Sequence, residues 1–274
     1  MPMGYQLRQV SVPILPEGAA DIRVLHFSDL HLTPSRKTEI ADIKAFAGLK
    51  PDLVISTGDF LAHKKAVPVV LDALDKLLDL PGLFVFGSND YYGPQLKNPV
   101  SYLMKDDGSR KLGPELPWAE LAAGLVARGW HDINHQRTII EINGTKIEAR
   151  GTDDAHLNRD KYGEVAGEPN QQADLAIGLT HAPYLRILEA MSEDQLDLIF
   201  AGHTHGGQVR LPWPGGSKAL TTNCDLPTWR ARGLTKVQND PWLHVSAGMG
   251  TSPFARIRLA SPPEVSLVTL EAAF

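Results

Sequence analysis

Along the chain, short apolar runs alternate with longer stretches in which apolar residues recur every three or four positions. The short runs predict β-strands at Gln6–Ile14, Ile22–Ser28, Leu53–Thr57, Leu83–Phe86, Arg137–Ile142, Thr145–Ala149, Leu175–Leu179, Leu196–Ala201, Trp242–Ala247, Ile257–Ala260 and Glu264–Leu270. The periodic stretches predict helices over Glu39–Leu49, Val67–Leu80, Trp118–Arg128 and Tyr184–Ser192. Between two of the strands stands Asn143-Gly144, a hairpin signal because both central residues of such a turn need positive φ. Strand followed by helix, repeated, predicts an α/β protein, and the extra hairpins add antiparallel pairing. The expected architecture is therefore α/β (α+β): two packed mixed β-sheets flanked by α-helices, a four-layer sandwich. No internal repeat interrupts the pattern, so residues 1–274 are read as a single domain.

Composition narrows the class. With 274 residues, 43% apolar and 22% charged, the chain is neither disordered nor collagenous nor a coiled coil. A net charge of −5 argues against a sequence-independent nucleic-acid binder. The one cysteine, Cys224, excludes an intrachain disulfide and a cysteine zinc cluster, and is read as an inert thiol. No run reaches the ~18 apolar residues of a membrane helix, and Met1–Pro16 lacks the basic start and apolar run of an export signal. A cytoplasmic protein is the expectation. The 24 glycines and 20 prolines place much of the chain in shaped loops, where sites are built.

Five apolar strands end the same way, with polar residues able to bind metal following at once. They are Asp29-Leu-His31, Gly58-Asp59, Gly87-Ser-Asn89-Asp90, His181, and Gly202-His203-Thr-His205-Gly-Gly. Ligands bind at the carboxyl ends of strands in open α/β sheets, so these ends would gather two carboxylates, four imidazoles and an amide. Such donors suit manganese, iron, zinc or nickel rather than calcium or copper(I). Seven ligands exceed what one ion takes, whereas two divalent ions sharing a carboxylate account for the number and make a hydrolytic site that attracts phosphate.

Asp-x-His, Gly-Asp, a Gly/Asn element, a lone His and Gly-His-x-His, in that order, resemble the calcineurin-like metallophosphoesterase family. The resemblance spans Asp29 to His205, about two thirds of the chain, and Phe27-Ser-Asp-Leu-His31, Gly151-Thr-Asp-Asp154 and Gly202-His-Thr-His-Gly-Gly-Gln208 are most similar to its bacterial branch related to YkuE and YaeI. It implies that Asp29, His31 and His205 hold one metal, that Asn89, His181 and His203 hold the other, and that Asp59 bridges them. A hydroxide bridging the metals would attack phosphorus in line with the leaving group. The implied cofactors are two divalent ions, with Mn2+ favoured and Fe2+/Fe3+, Zn2+ or Ni2+ also suitable. Phosphodiester hydrolysis stands ahead of monoester hydrolysis, and a nucleotide or phospholipid-like phosphate ester is the expected substrate class. A metal-binding scaffold without turnover is the alternative from another class. Nucleic acid is disfavoured as a partner, and peripheral membrane contact is compatible with a lipid substrate.

The chain departs from the family at the third motif, usually Gly-Asn-His. In one register Asn89 is the ligand and Asp90 takes the histidine's place; in the other Ser88 is the ligand and Asn89 stands at the histidine. The first is preferred, because an amide oxygen is the better neutral ligand. Asp90 would be ionised at pH 7 and a poor general acid; the other reading makes it a hydrogen-bonding turn residue. His156 and His63 are the candidates to protonate the leaving group, and good leaving groups should be favoured. His26, His131, His135 and His244 read as structural or surface histidines. Two long segments stand out: Tyr91–Pro117, expected as a lid that mixes aromatic and basic residues, and Gln208–Trp242, expected as a cleft wall carrying Trp213 and Trp229.

Overall fold

The computed structural model describes residues 4–95, 112–214, 216–237, 241–254 and 258–273. One six-stranded sheet contains β1 (Gln6–Leu15), β2 (Ile22–Phe27), β3 (Leu53–Ser56), β4 (Gly82–Phe84), β5 (His131–Asp132) and β14 (Glu264–Ala272), in the order β1-β14-β2-β3-β4-β5. A second contains β6 (Arg137–Ile142), β7 (Thr145–Gly151), β8 (Leu175–Thr180), β9 (Leu198–Ala201), β12 (Gly233–Lys236) and β13 (Trp242–Val245), in the order β12-β13-β9-β8-β7-β6. A separate ribbon pairs β10 (Arg210–Trp213) with β11 (Gly216–Ala219). Helices α1 (Lys37–Ala45), α2 (Val67–Leu74) and α4 (Trp118–Ala127) cover the outer face of the first sheet, α5 (Leu185–Glu193) covers the second, and α3 (Ser88–Tyr91) is a single turn after β4.

Side-chain alternation explains the layers. In β2, Ile22 and Val24 point between the sheets while Leu25 and Phe27 point to the helices; in β8, Leu175, Ile177 and Leu179 point inward and Ala176 outward. Burial on both faces is why these strands read as continuous apolar runs. Beneath the ends of β2, β3 and β4 lies an aromatic bed in which Phe27, Phe60, Phe84 and Phe86 meet edge to face at 5.3–6.5 Å. Strands β2, β3 and β4 run parallel, as do β8, β9 and β13, so their carboxyl ends emerge at one edge of the sandwich.

The expected two-sheet sandwich flanked by helices is the observed one. Asn143 and Gly144 both have positive φ, 50° and 83°, between paired β6 and β7. Some local expectations need correction. Of the strand expected at Ile257–Ala260, Ile257 lies outside the described residues, and among residues 258–260 Leu259 makes only an isolated bridge to Val209. The helix expected to Leu49 ends at Ala45 and tightens into a 3-10 turn that Lys50 stops with a φ of 52°. Of the expected lid, residues 96–111 lie outside the described residues; its base is zipped by Gly93 N–H to Pro114 O and Leu116 N–H to Tyr91 O. No described helix is long and apolar enough to cross a membrane.

Two histidines sit in the inter-sheet core. His26 and His244 are fully buried, with their Nδ1 atoms 2.8 Å apart, and His26 Nε2 lies 3.0 Å from Thr57 Oγ1. Burial holds both rings neutral, His26 well below its usual range and His244 down to about 3. The unfolded chain takes up protons below about 6.5, so this pair contributes stability that is lost as pH falls from there towards 3. Urea midpoints at pH 7 and pH 5 should therefore drop less in His26→Leu/His244→Leu than in the wild type; equal drops would contradict the assignment.

Candidate metal centre

At the shared edge, strand ends from both sheets deliver the predicted residues: Asp29 and His31 after β2, Asp59 after β3, Asn89 in α3, His181 after β8, and His203 and His205 after β9. The ligand atoms of Asp29, His31 and His205 lie within 4.8 Å of one another, and so do those of Asp29, Asp59 and His181. Asp59 Oδ2 stands between the two groups, 3.6 Å from His31 Nε2 and 3.5 Å from His181 Nε2. His31 Nε2 and His205 Nε2 are 3.4 Å apart over nearly stacked rings. The Asn89 amide reaches Asp59 twice, through its backbone N–H to Oδ1 at 2.8 Å and its Nδ2 to Oδ2 at 2.7 Å. Rotating that amide would present its oxygen at the same place. The His203 ring lies 5.2 Å from that of His181.

This cluster is held against local preference. Asp29, His31, Asp59, His203 and His205 all adopt positive φ, between 45° and 68°, a region costly for residues with a Cβ. Two glycines make the room: a Cβ on Gly87 would strike the Asp59 carboxylate and the His181 ring, and one on Gly248, itself at φ 69°, would come to 2.8 Å from Asp29 Cβ. Backbone groups set the rings. His181 Nδ1–H donates to Thr57 O at 2.6 Å, turning Nε2 towards the carboxylates, and His203 Nε2 lies 3.0 Å from Asn223 O. At His181 that division, one ring nitrogen on a carbonyl and the other towards the carboxylates, is how metal-binding histidines are oriented.

The electrostatics are those of a site short of positive charge. Asp29 Oδ1 and His181 Nε2 are buried with no hydrogen-bond partner, which fits a cation between them. Burial pushes Asp29 up to about 6, and holds His31 down at about 4. Burial would also keep His181 neutral, yet Asp59, Asp29 and Asp154 together push it up to about 9. For Asp59 burial is outweighed: His181, His31 and the Asn89 bonds hold it below the usual carboxylate range. Hard carboxylates and borderline imidazoles gathered this way match the donor set of divalent transition metals.

The calcineurin-like phosphoesterase family matches this sequence over residues 22–207, from β2 to the loop of His205. The chain belongs to the calcineurin-like phosphoesterase family. It is 26% identical to the metallophosphoesterase YkoQ of Bacillus subtilis over 89% of this chain and 82% of that protein. With the phosphodiesterase YaeI of Escherichia coli it shares 24% identity, over 98% and 89% respectively. With the UDP-2,3-diacylglucosamine pyrophosphatase LpxG of Chlamydia trachomatis it shares 25%, over 90% and 83%. YkuE of Bacillus subtilis is a further relative, at 24%.

Within this family member, the other candidates fall in different places. Asp90 is fully buried beneath the loop: Oδ1 accepts the N–H groups of Phe60 and Leu61, and Oδ2 those of Asp59 and Gly87. The four N–H bonds favour the carboxylate and work against burial and the Asp59 charge, which push its pKa up to about 8. His156 is buried, its ring 4.5 Å from that of His203 and its Nδ1 3.1 Å from Tyr184 Oη. His63 is exposed and accepts a bond from the Lys65 N–H. Sequence reasoning missed two contacts made by distant loops: Asn223 at His203, and Arg258, whose Nη2 lies 3.1 Å from His205 Nδ1. No spacing signal marks either residue, because each arrives from a loop outside the motifs. Asp90→Asn turns an amide NH2 towards two backbone donors and should destabilise the fold by about 2 kcal/mol or more in urea denaturation; a variant as stable as the wild type would show these bonds to be dispensable.

Proposed function

We propose that the protein is a binuclear metal-dependent phosphoesterase acting first on phosphodiesters, with residues 1–274 working as one domain. The observation that carries this reading is the cluster of buried Asp29, Asp59, His31 and His181 with half-buried His205, whose unpartnered Asp29 Oδ1 and His181 Nε2 call for cations. One ion would be held by Asp29, His31 and His205, the other by Asn89, His181 and His203, with Asp59 common to both. Mn2+ is the favoured occupant, given carboxylate, amide and imidazole donors together. Bound divalent ions would supply Lewis acidity towards phosphoryl oxygens and lower the pKa of a water nucleophile.

The chain's own residues have distinct tasks. Thr57 O and Asn223 O orient the His181 and His203 rings. Asp90 is a positioning residue that fixes the Asp59 loop through its four N–H bonds, and it does not reach the leaving group. His156 is the candidate to give up a proton there, with its ring placed by the contact of Nδ1 with Tyr184 Oη. A diester or pyrophosphate substrate agrees with the activities named for YaeI and LpxG. It also suits a site whose third motif lacks histidine, because phosphate and aryloxide leave without strong acid assistance.

The test is hydrolysis of bis(4-nitrophenyl) phosphate and of 4-nitrophenyl phosphate by Mn2+-loaded protein. The diester should turn over faster; EDTA should abolish both activities, and Asp59→Asn should lower kcat by about 100-fold or more. His156→Ala should slow a diester with an alkyl leaving group by about tenfold or more while changing the nitrophenyl diester less than about threefold. Mn2+ binding without hydrolysis of either ester would select the scaffold reading instead.

A further inference from the structure

The β10–β11 ribbon begins three residues after Gly207, where the family match ends. Its register pairs Leu211 with Lys218 and Trp213 with Gly216, and Leu220 N–H continues the ladder to Val209 O. Val209, Leu211, Trp213, Lys218 and Leu220 therefore share one face, and Arg210 and Ala219 share the other. The burial is the reverse of the usual one. Arg210 and Ala219 are buried, while Leu211, Trp213 and Leu220 are 45%, 60% and 41% exposed. Leu259, bridged to Val209, extends this apolar face and is 53% exposed. Isolated exposed apolar residues are ordinary, but a ribbon with its apolar face outward marks an interaction surface.

The pairing of a cation with an indole on this face points to the occupant. On the outward face the one charged side chain among the ribbon's described residues is Lys218, while Arg210 lies buried beneath it, in a chain of net charge −5. Lys218 Nζ lies 5.2 Å from the Trp213 ring, and both side chains are exposed. An indole and an ammonium side by side on an apolar face match the headgroup level of a bilayer, where rings lie among the acyl boundary and lysines reach anionic phosphates.

We propose that the outer face of the β10–β11 ribbon is a docking surface for bilayers containing anionic phospholipid. The ribbon is tied to the candidate metal centre: Arg210 Nη1–H donates to Gly206 O at 2.8 Å, and Leu259 N–H donates to Gln208 O at 2.9 Å. Docking would bring the loop of His205 to the membrane surface. The proposal does not depend on which phosphate ester is cleaved, and its test reads binding alone.

The test is co-sedimentation of the full chain with phosphatidylcholine vesicles and with vesicles containing about 30% phosphatidylglycerol. Binding to the anionic vesicles should exceed binding to the neutral ones by about tenfold and weaken in about 0.5 M salt. Leu211→Ser/Trp213→Ser should lose about tenfold of that binding while its thermal midpoint stays with that of the wild type. Absence of vesicle binding by the wild type, or equal binding by the variant, would overturn the proposal. So would a concentration-dependent dimer that the same substitutions dissociate.

Discussion

Two carboxylates and two imidazoles are buried beside the half-buried His205 with too little hydrogen bonding to satisfy them, and the surrounding structure is arranged to bear that cost. Asp29 and Asp59 carry negative charge at the edge of an apolar sandwich, and Asp29 Oδ1 faces the ring nitrogens of His205 and His31 at 3.6 and 3.9 Å with no hydrogen bond. Four of the cluster's residues, Asp29, His31, Asp59 and His205, and the adjoining His203 also hold left-handed backbone, each at a typical cost of about 1–3 kcal/mol. Neither cost could be met by local structure. The compensation comes from the inter-sheet core, from the aromatic bed under β2, β3 and β4, and from loops that over-determine each position.

Asp90 shows how this works. Its carboxylate collects four backbone N–H groups from two successive loops, so that the Asp59 turn and the Gly87 turn become one unit. Arg258 does something similar from the other side, with its guanidinium donating to Ala247 O, Gly248 O and Gly250 O beside His205. Both are charged groups used as braces. Their removal is expected to disturb the ligand geometry before it disturbs any chemical step.

Periodicity was enough to foresee the two sheets, because residues buried on both faces leave unbroken apolar runs that end abruptly. The same abrupt ends revealed the cluster, since Asp29, Asp59, His181 and His205 each follow a strand within four residues. What the runs could not reveal depends on tertiary context. The single strand-like run at Ile257–Ala260 became a bridge and a brace, with Arg258 turned inward. Asp90, adjacent to Asn89 in sequence, points beneath the loop instead of into the cluster, a distinction set by the one-turn helix α3. The apolar face of β10–β11 was hidden because its run is short and broken by two prolines.

If cations repay the cost of the cluster, the protein without them should carry an excess of buried negative charge at Asp29. The most direct test is urea denaturation of the wild type and Asp29→Asn at pH 8, above the Asp29 pKa of about 6, in EDTA and in saturating Mn2+. In EDTA the variant should be the more stable by about 1 kcal/mol, since a neutral amide tolerates left-handed backbone and can donate to the facing imidazoles. Mn2+ at about 100 times its Kd should raise the wild type by about 2.7 kcal/mol and leave the variant nearly unmoved. A variant less stable than the wild type in EDTA, or stabilised equally by Mn2+, would contradict the account.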